Sequence, residues 1–122
     1  MTTYPIHWNL LTRTKNAEKA KRVISDFAER IGHDVRIMES KPYWKIEGTF
    51  ETRAVSSLEA DSIEVAVYTI LRDLTFVRGN TRVIGPLEFE SAVEFEVILS
   101  EPSVNGLEWV HMQLGPFPGD AP

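Results

Sequence analysis

Cysteine is absent from the 122 residues. That excludes a disulfide framework, thiol catalysis and any zinc site built on thiolates, and it fits a reducing compartment. No apolar run approaches the roughly 18 residues of a membrane span, and no basic-plus-apolar leader precedes Tyr4, so a cytoplasmic chain is expected. Recognisable chemistry is missing as well. There is no glycine-rich phosphate loop, no GxSxG elbow or SxxK pair, and no HExxH or Asp-rich loop. His7, His33 and His111 each lack a second ligand at metal spacing, and neither a metal nor another cofactor is expected.

Basic residues are scarce in one half only. Residues 1–60 hold ten Lys/Arg against eight Asp/Glu, whereas residues 61–122 hold three against ten, giving a net charge of −5 overall. An acidic surface repels phosphate backbones and attracts basic proteins, which disfavours nucleic acid as a partner. The composition, 43% hydrophobic and 25% charged, is that of an ordinary globular domain long enough to bury its own core. One domain over residues 1–114 is expected, followed by a poorly ordered Pro/Gly-rich tail over 115–122.

The most informative stretch is Leu87 to Leu99, LEFESAVEFEVIL. Apolar residues alternate with Glu88, Glu90, Glu94 and Glu96, the period of a strand with one oily face and one comb of carboxylates. A two-residue turn at Ser91-Ala92 would set Glu90 opposite Val93 and Phe89 opposite Glu94, so one long strand, bent near Ser91, is predicted. Upstream, Ile6–Thr12 reads as an interior strand with Ile6, Trp8 and Leu10 on one face and His7, Asn9 and Leu11 on the other. A helix follows from a cap at Thr14 or Asn16 to Ile31, closed by Gly32. Asp34–Glu39 and Tyr43–Arg53 read as strands, the second placing Trp44 in the core with Ile46 and Phe50. Ser56 and Glu59 form a capping-box pattern ahead of a helix ending near Phe76. Arg82–Ile84 reads as a short strand stopped by Gly85-Pro86, and Leu107–Leu114 as a closing strand that pairs back across the Asn105-Gly106 turn.

The predicted fold class is α+β, with two helices on one mainly antiparallel sheet. The βαββαβ order resembles the ferredoxin-like fold with an extra C-terminal hairpin strand.

The glutamate comb admits three readings: a solvated strand face neutralised by cross-strand cations, a protein-binding surface, or paired catalytic carboxylates. Catalysis needs one carboxyl group desolvated in a cleft, which a comb facing water does not provide, so no enzymatic activity is expected. Trp109 lies in the last strand on one face with Leu107, His111 and Gln113, where it is either a buried core residue or, as an aromatic next to carboxylates, the anchor of an interface. In size, lack of cysteine and the acidic residues Glu88, Glu90, Glu94, Glu96, Glu101 and Glu108, the chain resembles the immunity proteins that neutralise bacterial polymorphic or contact-dependent toxins. That resemblance implies a non-enzymatic module that covers a basic toxin domain. Glu88, Glu90, Glu94, Glu96, Glu108 and Trp109 would form the partner surface. The competing expectation is a protein of the dimeric α+β barrel type, binding or transforming a small ligand and pairing with a second copy of itself. Trp8, Asn9 and His111 would then line the ligand site.

Overall fold

The computed structural model describes residues 2–89 and 92–118, with side chains described outside 86–93 and 116–118. Its elements are β1 (Thr2–Thr12), α1 (Ala17–Ile31), β2 (Arg36–Pro42), β3 (Phe50–Ala60), α2 (Ile63–Leu74), β4 (Asn80–Phe89), β5 (Ala92–Ser100) and β6 (Leu107–Pro118). All six strands join one sheet in the order β2-β3-β1-β6-β5-β4, and every neighbouring pair is antiparallel. The α+β class is as predicted. The strand order is not that of a simple ferredoxin-like sheet, because β6 occupies the place beside β1 and two further strands extend the sheet beyond it.

Local chemistry explains both helices. Asn16 caps α1 by accepting from the Lys19 amide at 2.9 Å, and Gly32 closes it at φ +73°, a left-handed conformation that favours glycine. Ala20, Val23, Ile24, Phe27 and Ile31 recur at helical spacing and are all buried. The N-cap of α2 is Ser62, which accepts from the Val65 amide at 3.3 Å. The expected box at Ser56 and Glu59 does not form, because both residues belong to β3. A capping pattern is local, whereas β3 is held along its whole length by β1, from Thr2 opposite Ala60 to Thr12 opposite Phe50. Tertiary pairing overrides the local signal.

The same effect corrects the strand predicted over Tyr43–Arg53. Residues 43–49 are the connection between β2 and β3, closed by a bond from the Tyr43 amide to the Thr49 carbonyl at 2.8 Å, and β2 runs on through Ser40 to Pro42. Trp44 is therefore not in the core; it sits on that connection, 82% exposed.

The predicted single strand over Leu87–Leu99 is two strands. β4 and β5 pair antiparallel, with Phe89 opposite Ala92, Glu88 opposite Val93 and Leu87 opposite Glu94. Gly85-Pro86 is not a stop either: β4 crosses it with a register shift between Ile84 and Leu87, and Gly85 takes φ +100°. Such a bulge moves every later residue to the other face, so an alternation that looks continuous in sequence is not continuous in space. Beyond Leu114, where the tail was expected to begin, β6 continues to Pro118; residues 119–122 lie outside those described.

One face of the sheet carries the core. Ile6, Trp8 and Leu10 of β1, Phe95, Val97 and Leu99 of β5, and Val110, Met112 and Leu114 of β6 are all buried there against α1 and α2. Trp8 packs edge-on to Phe27 at 5.3 Å and donates from Nε1 to Ser56 Oγ at 2.8 Å, so its one polar atom is satisfied inside the core. Among the described residues, no helix is long and apolar enough to cross a membrane.

Candidate functional site

The other sheet face is covered by no element of the described chain. Strand register maps it directly, since residues opposite one another share a face. One row across the six strands reads Arg36, Val55, His7, Gln113, Glu96 and Ile84; the next reads Glu39, Arg53, Asn9, His111, Ile98 and Arg82; the third reads Lys41, Glu51, Leu11, Trp109, Ser100 and Asn80. Charged, aromatic and aliphatic side chains are mixed throughout. Leu11, Ile98 and Trp109 are half-buried, although nothing packs over them from a second layer.

Two bonded pairs fix the centre. His111 Nε2 lies 2.6 Å from Glu96 Oε1, and the imidazole stacks on the Trp109 indole with centroids 6.0 Å apart and planes at 15°. A carboxylate only accepts, so the hydrogen of this contact sits on Nε2. On the neighbouring strand, Asn9 Nδ2 donates to Glu51 Oε2 at 3.3 Å. Asn9 Oδ1 is buried and has no hydrogen-bond partner among the described residues.

Beside these pairs an open concavity of about 390 Å³ lies over β1, β3, β6 and the bulge of β2. Its polar lining is His7, Asn9, Arg53, His111 and Gln113; Met38 and Val55 form apolar walls, and Trp8 and Ala54 lie at its base. Of the three residues expected to line a ligand site, Asn9 and His111 lie opposite each other on this face, whereas Trp8 borders the cavity but turns its indole into the core on the other side of the sheet. Arg53 and Met38 escaped notice in the sequence. Arg53 lies in a strand whose start was misplaced, and Met38 reaches the cavity only because a bulge between Ile37 and Glu39 turns it outward. His7 and His111 both line the cavity, as neighbouring strands allow, yet no group of three metal-ligating side chains forms among the described residues.

The residues expected to form an acidic partner surface are dispersed. Glu94 and Glu96 lie on β5, half-buried, with Glu96 engaged by His111. Glu108 is in an ion pair with Arg13 at 3.0 Å at the end of the sheet, and its strand neighbour Leu107 turns into the core instead of sharing the face of Trp109. Glu101 is exposed in the β5–β6 connection. Glu88 is on β4, its side chain outside those described, and Glu90 lies outside the described residues altogether. A comb on one strand is therefore replaced by a shorter acidic segment of β5 next to an aromatic pair. Comparison of the chain with protein-family models, with curated proteins and with solved structures finds no match.

Proposed function

We propose that this protein is a non-enzymatic binding module that docks a basic protein on the β5–β6 half of its uncovered sheet face, in the manner of an immunity protein covering a toxin domain in the cytosol. The observation that carries this is the exposed face itself, with Trp109 and Ile98 as half-buried apolar groups beside Glu94 and Glu96. Interfaces concentrate their energy in a central aromatic anchor and use surrounding charge for steering and register. Glu96 serves both ends: it holds His111 under the Trp109 ring and contributes negative potential to the rim. The overall charge of −5 adds long-range attraction for a basic surface.

Co-purification with the products of neighbouring genes, at low and high salt, tests this. One basic protein should be retained, its retention should fall with salt because exposed charges are screened, and Glu94→Lys with Glu96→Lys should abolish it. Retention indifferent to both changes would place the interface elsewhere.

A further inference from the structure

The concavity over β1 and β3 carries a charge opposite to that of the molecule. In a chain of net charge −5, none of its lining residues is Asp or Glu; the polar groups are Arg53, His7, His111, Asn9 and Gln113. The nearest carboxylates are already engaged. Glu51 accepts from Asn9, Glu96 from His111, and Glu39 faces Lys41 at 4.0 Å. Arg53 is left without an ion pair among the described residues, in the middle of a row between Glu39 and Asn9. Its guanidinium presents a planar fork of donors, the geometry that takes a carboxylate through two parallel bonds.

We propose that this concavity is a binding site for a small organic carboxylate with an apolar body. The carboxylate sits on Arg53, with His7 within the same lining as a further polar contact, and the apolar part lies against Met38 and Val55. The volume of about 390 Å³ falls in the range of small-molecule sites, which combine mostly apolar walls with a few placed polar groups. Glu51 and Glu96 are positioning residues here, holding Asn9 and His111 of the lining by hydrogen bonds. The site goes beyond the docking role and does not depend on it, because it can be tested on the purified protein alone.

Benzoate is a suitable probe, with benzamide as its uncharged counterpart, and tryptophan fluorescence is the readout because Trp109 stacks on His111 of the lining. Benzoate should give a saturable one-to-one change, and benzamide should bind at least about tenfold more weakly, as should benzoate to Arg53→Gln, since a charge-assisted pair is lost in each case. Arg53 is exposed, so the variant should keep the wild-type circular dichroism spectrum. Lys15→Gln, in the exposed connection between β1 and α1 and outside the lining of the cavity, should bind benzoate as the wild type does. No saturable change with benzoate, equal binding of benzamide, or unaltered binding to folded Arg53→Gln would each overturn the proposal.

Discussion

At the scale of single residues, burial separates side chains that look alike in sequence. Trp8 is 2% exposed and hydrogen-bonded, whereas Trp44 is 82% exposed with the Lys45 ammonium 5.0 Å from its ring centroid. Urea denaturation should therefore show a loss of about 3–5 kcal/mol for Trp8→Ala. Trp44→Ser should stay within about 0.5 kcal/mol of wild type. The pair His33–Asp73 makes a second contrast. His33 Nε2 lies 2.7 Å from Asp73 Oδ2, both side chains are nearly buried, and the contact ties the end of α1 to the last turn of α2. Asp73→Ala leaves the imidazole with a lost partner inside the fold and should cost about 1–3 kcal/mol in the same experiment. Asp73 is missed by hydrophobic patterning because it occupies a core-facing helical position, where His33 on one carboxylate oxygen and Arg72 Nε, 3.1 Å from the other, account for its charge.

Among the elements, the first helix and the buried face of the second were legible, whereas the start of α2 and the edge of the sheet were not. The helical spacing of Ala20, Ile24, Phe27 and Ile31 has a single solution, and Asn16 and Gly32 mark its ends by chemistry internal to the segment. β1 was equally plain, because its alternation is uninterrupted and its two faces meet different surroundings. The β4–β5 hairpin failed on phase. Gly85 and Pro86 look like a terminator, yet they form a bulge that the strand passes through, so residues 87–89 pair with residues 92–94 in a register that the unbroken alternation hides. The start of β3 failed for the complementary reason, since the alternation from Tyr43 to Thr49 looks like a strand but pairs with no strand in the sheet. The bulge has its own consequence. At φ +100° any side chain at position 85 is strained, and Gly85→Val should destabilise the protein by about 1–3 kcal/mol in denaturant titrations while leaving both helices intact by circular dichroism. An unchanged midpoint would mean that the hairpin does not depend on that conformation.

For the whole molecule, the decisive feature is asymmetry between the two sheet faces. One buries Ile6, Trp8, Leu10, Val97 and Met112 under two helices, and the other leaves Trp109, Ile98 and Leu11 half-covered only by their strand neighbours. Much of the candidate site could be named in the sequence as separate residues: Trp109, Glu96, His111 and Asn9. What brings them together is the placement of β6 between β1 and β5, a long-range fact that local alternation does not encode. Charge is divided across that face as well, with Glu94 and Glu96 on β5 and Arg53 over the cavity on β3, so a basic protein and a small anion would address different halves of it.

The most direct measurement is amide chemical-shift mapping of the isotope-labelled chain on addition of the basic protein recovered with it. Perturbations should concentrate at Glu94, Glu96, Ile98, Trp109 and His111, with residues on the outward faces of α1 and α2 unmoved. Perturbations confined to the helices, with β5 and β6 silent, would contradict docking on the uncovered sheet face.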